Sequence, residues 1–253
     1  MLQTRIIPCL LLKEDGLVKT IKFKNPSYVG DPINTVRIFN EKEVDELIFL
    51  DIQASVIGKE PNFKLLSEIA NECFMPLGYG GGLTNLTQVK KIFNIGLEKV
   101  AINSFAHTNP SFITEIANLF GNQAVIAAID VKKNFFGKYE VVSKSATQKH
   151  KSSVIEWAKE MENRGAGEIL LTSVDREGTW SGFDLDLIKS ITSVVNIPVI
   201  ANGGAGNVNH IIEGNKTANA SALALGSMVV YQKQGMGVLI NYPDRKKLEK
   251  DLQ

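Results

Sequence analysis

ELIFLDI at 46–52 lies over EILLTSV at 168–174, and PLGYGGG at 76–82 lies over PVIANGG at 198–204, both at an offset of 122 residues. Asn103-Ser104 falls over Leu225-Gly226 at the same offset, and ahead of them IIPCLLLK (6–13) lies over VIAAIDVK (125–132) at 119. The change of offset fits in the first loop, where extra length costs little. A 253-residue chain that repeats itself at about half its length is built from two similar units.

Each unit holds four short apolar runs separated by amphipathic stretches. The strand candidates are 5–12, 46–52, 75–80, 98–103, 124–130, 168–174, 197–201 and 221–226. Most are nearly continuous apolar runs, as strands covered on both faces should be. Helices are expected at 31–44, 61–73, 85–95, 109–118, 153–164, 184–193 and 206–213, with a charged one from Pro243. Asp31-Pro32 opens the first with a cap and a first-turn proline. Eight strand–helix units in a chain of this length predict an α/β (β/α)₈ TIM barrel built from two half-barrels. A doubly wound open sheet is the alternative, weakened because no GxGxxG follows the first strand. No linker separates the halves, so residues 1–253 are expected to form one domain.

Composition removes several functions. Lys plus Arg is 28 and Asp plus Glu is 27, a net charge of +1, which gives no footprint for nucleic acid or an anionic membrane. No apolar run approaches the ~20 residues of a membrane helix. The N-terminal MLQTRIIPCLLLKEDG lacks a signal-peptide cleavage site, so a cytoplasmic protein is expected. Two cysteines, Cys9 and Cys73, make no disulfide scaffold.

In such a barrel the chemistry sits at the C-terminal ends of the strands. Gly80-Gly81-Gly82 and Asn103-Ser104 end the third and fourth strand candidates. Gly203-Gly204 and Gly226-Ser227 end the seventh and eighth. Bare glycine amides can approach an anion, and a following helix N-terminus adds partial positive charge. One such turn would read as a tight loop; two, paired by the repeat, point to a phosphorylated substrate with a phosphate at each end. Asp130 ends the fifth strand between them and is the catalytic candidate, as a general base or acid. Asp51, near the end of the second strand, is either catalytic or a loop-bonding residue. Thr172, Ser173, Asp175, Arg176, Glu177, Gly178 and Thr179 lie in or beside the sixth loop. Lys19 stands in the long first loop, which reads either as solvated or as a lid.

Arg5, Glu46, Lys99 and Glu168 stand at the starts of four strands. Buried unpaired, each would cost several kcal/mol, so they read as a stabilising ion-pair plug or as a gate on an axial passage; periodicity alone favours the plug. His107, His150 and His210 share no metal-ligand spacing and read as loop or helix-surface residues. No metal and no cofactor is expected. The run 144–153 reads as a solvated loop, Cys9 as core, and Trp180 as either a packing residue or a stacking platform for a substrate ring.

Together RIIPCL (5–10), GDP (30–32), DELIFLDIQAS (45–55), GGGL (80–83), NPSFITEIANLFGNQAVIAAID (109–130), RGAGEILLTSVDREGTWSGFD (164–184) and ANGGAG (201–206) resemble the HisF family, the cyclase subunits of imidazole glycerol phosphate synthase, over essentially the whole chain. The resemblance implies a barrel with a two-phosphate site. It also implies a HisH-like glutaminase docked on the N-terminal face, delivering ammonia through the barrel. It makes Arg5, Glu46, Lys99 and Glu168 the ammonia gate. Phosphate positions carry over to Gly81, Gly82, Asn103 and Ser104 on one side and to Gly178, Gly203, Gly204, Gly226 and Ser227 on the other; Lys19 and Asp51 match as well. Asp130 matches one of two family aspartates, the one assigned as base.

At the other aspartate's position stands Leu11, which the internal repeat also makes the counterpart of Asp130. A leucine can neither give nor take a proton. Thr20 replaces a family glycine, and Gly78-Tyr79 alters the third strand. A changed mouth over an unchanged gate points to a paralogue. Its expected task is ammonia supply for amidation of a surface-polysaccharide sugar, with an ATP-using sugar amidotransferase as a further partner. The alternatives are a genuine cyclase of histidine biosynthesis and a non-catalytic ammonia conduit.

Overall fold

The computed structural model describes residues 4–252; residues 1–3 and 253, parts of the N-terminal segment and of the expected domain, lie outside the described residues. The strands are β1 (Arg5–Lys13), β2 (Gly16–Ile21), β3 (Lys24–Gly30), β4 (Leu47–Asp51), β5 (Leu77–Gly80), β6 (Lys99–Ile102), β7 (Val125–Lys133), β8 (Tyr139–Ser143), β9 (Gln148–Lys149), β10 (Glu168–Ser173), β11 (Val199–Asn202) and β12 (Ala222–Leu225). The helices are α1 (Pro32–Glu41), α2 (Ala54–Ile57), α3 (Phe63–Glu72), α4 (Leu86–Ile95), α5 (Ser111–Phe120), α6 (Val154–Asn163), α7 (Leu185–Thr192), α8 (Val208–Lys216), α9 (Ser227–Val230) and α10 (Arg245–Leu252). None is long and apolar enough to cross a membrane.

Eight strands pair in parallel around a closed circuit, β1–β4–β5–β6–β7–β10–β11–β12 and back to β1. This is the (β/α)₈ barrel. The two halves meet at β6–β7 and at β12–β1, so neither half closes alone. The repeat is visible in the extras too. The first strand of each half, β1 and β7, is nine residues long and is followed by an antiparallel partner, β2 or β8. The long first loop is therefore a hairpin, β2–β3, not an open segment. Likewise 144–153 holds the turn after β8 and the two-residue return strand β9, and most of its residues are exposed, as a solvated segment should be.

Local chemistry sets the helix starts. The side chains of Asp31, Asn62, Asn85, Asp184 and Asn207 each accept an amide of the first turn of the helix they precede. Ser153 and Glu156 form a reciprocal capping box at α6. The helices then lay apolar faces against the outside of the barrel. Phe39, Phe49 and Phe112 are fully buried in that layer, and each such side chain contributes roughly 1.5–3 kcal/mol.

The inside of the barrel is a separate, thinner core of Ile7, Cys9, Ile48, Ala101, Ile126, Ala128, Leu170, Ile200, Ala222 and Ala224. Alternation along a strand sends every second residue inward. Reading upward, β1 presents Arg5, Ile7, Cys9 and Leu11, and β7 presents Ile126, Ala128 and Asp130. On β6 the inward set is Lys99 and Ala101, with Asn103 just beyond it; on β10 it is Glu168, Leu170 and Thr172. One period-two rule thus stacks charges at the bottom, small apolar groups in the middle and proton-handling groups at the mouth.

Candidate active site

Asp130 stands at the mouth with its neighbours already bonded to it. Asn103 Nδ2 donates to Asp130 Oδ2 at 2.7 Å. Thr172 stands beside Asp130 in register across β10 and β7, and Asn202 Nδ2 donates to Thr172 Oγ1 at 3.1 Å. Burial pushes the Asp130 carboxyl up to about 7; the bond from Asn103 and the neighbouring Thr172 hydroxyl oppose this, and the charge of Glu177 adds to it. A carboxyl near 7 exchanges protons at neutral pH, as a general base or acid must. Leu11 lines the same cleft on β1 and is buried. Asn202 was missed in the sequence, although the alternation that placed Ile200 inward also places it inward, two residues on.

The cleft above Asp130 has a volume of about 480 Å³. It takes in Lys19, Asp51, Gly81, Gly82, Asn103, Ser104, Asp130, Thr172 and Glu177, so those candidates come together. Gly81 and Gly82 are also packed tightly. A Cβ on Gly81, at φ +134°, would stand 2.7 Å from that of Asp51, and one on Gly82 would strike the Lys59 carbonyl. Asp51 Oδ1 accepts the amides of Gln53 and Ala54, both at 2.9 Å, the work of a loop-bonding residue.

Gly178, Gly203, Gly204, Gly226 and Ser227 do not line the cleft. The β2–β3 hairpin covers that side. Glu177 is its anchor: Thr20 Oγ1 donates to Oε1 at 2.9 Å, the Phe23 amide to Oε2 at 3.1 Å, and the Lys22 amide to the Glu177 carbonyl at 3.0 Å. Lys19 is buried 3.7 Å from Glu177 Oε1, and its Nζ would lie 2.5 Å from a Cβ on Gly226. The lysine ammonium stands against Gly226, while Gly203 and Gly204 pack on the Ser173 and Gly182 carbonyls. The turns that the repeat makes equivalent are therefore unlike: Gly81, Gly82 and Ser104 open onto the cleft, whereas Gly203, Gly204 and Gly226 are packed against other groups of the protein. Trp180 does not line the cleft either, and its carbonyl packs on Gly206.

At the opposite end, the four charges close a ring. Arg5 reaches Glu46 at 2.6 Å and Glu168 at 2.7 Å; Lys99 reaches Glu46 at 2.9 Å and Glu168 at 3.2 Å. Glu46 is 2% exposed, and both of its oxygens are partnered, which is the condition for burying it.

Two of the histidines lie in loops and are half-buried against each other. His107, after β6, stacks on His150 at 3.5 Å between ring centroids and on Trp157 at 4.3 Å. Burial, and secondarily His150, pushes His107 down to about 4. His210 does sit at a helix start, bonded to the Gly206 amide through Nδ1.

Residues 5–235 match the family described as histidine biosynthesis protein. A Pseudomonas aeruginosa protein provisionally named imidazole glycerol phosphate synthase subunit hisF2 is 52% identical over 98% of this chain and 99% of its own length. A Leptospira borgpetersenii protein provisionally named subunit HisF is 48% identical over 96% of each chain. A Vibrio vulnificus protein provisionally named subunit hisF3 is 43% identical over 100% of this chain and 98% of its own. The chain belongs to the histidine biosynthesis protein family, as a HisF-like enzyme subunit of the imidazole glycerol phosphate synthase type.

Proposed function

We propose that this chain receives ammonia from a HisH-like glutaminase seated on its N-terminal face. The ammonia passes the ring of Arg5, Glu46, Lys99 and Glu168 and the small-residue interior, and is used or handed on at the mouth for amidation of a surface-polysaccharide sugar. The observation that carries this reading is the pairing of Asp130 with Leu11 across the mouth, above a complete charge ring. One proton-transfer group remains where a two-aspartate cyclase has two.

Amidation asks for only one. Ammonia attacks an acyl carbon that an ATP-using sugar amidotransferase has activated; the C–N bond forms and the activated oxygen leaves. The nitrogen sheds a proton, which a carboxylate titrating near 7 accepts. The apolar passage favours neutral ammonia over ammonium, because a charge there would be desolvated.

The second reading is the cyclase of histidine biosynthesis, favoured by the retained Asp130 and by the names of the relatives. In that case Leu11→Asp should change little.

The first test is glutamine hydrolysis by a HisH-like glutaminase, measured with and without this chain. Binding and stimulation are expected. A glutaminase that neither binds nor responds would remove the ammonia-handling role.

A further inference from the structure

The turn between β8 and β9 crosses the cleft. Lys144, Ser145 and Ala146 have φ of +49°, +56° and +62°, a left-handed path that non-glycine residues seldom follow. Both sides of the mouth hold it there. The Lys144 amide donates to Ser104 Oγ at 3.2 Å, and Ser145 Oγ donates to the Ile52 carbonyl beyond β4 at 3.0 Å. Its base is fixed by Ser143 Oγ against His150 Nε2 at 2.7 Å, in the same histidine stack that follows Ser104. Lys144 and Ser145 line the cleft together with Gly81, Gly82 and Ser104.

Two consequences follow for a ligand. Ser104 Oγ already accepts the Lys144 amide, so its own proton is left to donate into the cleft. The Lys144 side chain is exposed and, among the described residues, has no carboxylate at ion-pair distance. The carboxylates lining the cleft nearby are engaged: Asp51 on the amides of Gln53 and Ala54, Glu60 on Gln88 Nε2 at 2.9 Å.

We propose that the 144–146 turn is the outer wall of an anion site at Gly81, Gly82 and Ser104, and that the Lys144 ammonium binds the phosphate end of the ligand there. Lys19, on the opposite side, is neutralised by Glu177 and leaves the Lys144 side as the anion-binding end. The inference rests on the reading of this mouth as a phosphate-binding site.

The test is calorimetric titration of the full chain with inorganic phosphate at low ionic strength. Lys144→Asn removes the charge and suits a left-handed backbone; Lys144→Arg keeps the charge. Lys189→Asn, on α7, serves as a remote control, and Ser104→Ala probes the mouth itself. The expected result is binding that weakens about tenfold in Lys144→Asn, the lower range for a charge-assisted contact. Lys144→Arg should recover most of it, Lys189→Asn should match the wild type, and salt should weaken it. Unchanged binding in Lys144→Asn alongside weakened binding in Ser104→Ala would overturn the role of the turn and leave the phosphate mouth standing. No binding by the wild type would overturn both.

Discussion

Replacing Asp130 by asparagine should stabilise the protein at alkaline pH and scarcely affect it in acid. The folded state holds this carboxyl at about 7 against an ordinary 3.8. Between those values the folded protein keeps a proton that the unfolded chain has released. Stability therefore falls as pH rises through that window, and the cost is complete above 7. The full difference corresponds to about 4 kcal/mol, of which about 2–3 kcal/mol accrues between pH 5 and pH 8. An asparagine does not titrate and can still accept the bond from Asn103 Nδ2. The assay is urea unfolding of wild type and Asp130→Asn at pH 5 and pH 8. The gap between them should widen by about 2–3 kcal/mol, or roughly 5–10 °C in melting temperature for a chain of this size. The same change should lower turnover about 10²–10⁴-fold if Asp130 moves a proton. An identical stability gap at the two pH values would refute the reasoning, because it would mean that the carboxyl is not held protonated by burial.

Lys99→Met takes one cation from the charge ring and leaves Glu46 and Glu168 sharing Arg5. It should cost about 3 kcal/mol in urea unfolding, and a cost near zero would mean the ring is hydrated. Tyr79→Phe should be neutral or stabilising by up to about 1 kcal/mol, since the Tyr79 hydroxyl is buried with no hydrogen-bond partner. A clear loss of stability on thermal melting would show that the hydroxyl does have one.

The barrel and most of its mouth were legible because both rest on short-range rules. Position along the strand candidates puts Arg5, Glu46, Lys99 and Glu168 at one end of the barrel and Asp130 and Asn103 at the other. The repeat paired Leu11 with Asp130. What escaped depends on contacts across the fold. Nothing near Lys19 in the sequence announces that it will be tied to Glu177 and stand against Gly226, so symmetry of sequence was taken for symmetry of site. His107 and His150 are 43 residues apart in number and meet only because the β8–β9 hairpin folds back over the end of β6. The 144–153 run has the composition of a solvated loop; its left-handed turn is held by Ser104 and Ile52, which lie in other parts of the chain.

The most direct measurement is turnover of the histidine-pathway bisphosphate ribulosyl intermediate in excess ammonium salt, followed as imidazole glycerol phosphate, with no partner needed. With Leu11 in place of a proton carrier, no turnover is expected from folded protein that still binds phosphate. Clear formation of imidazole glycerol phosphate would contradict the repurposed mouth and make this chain a working cyclase.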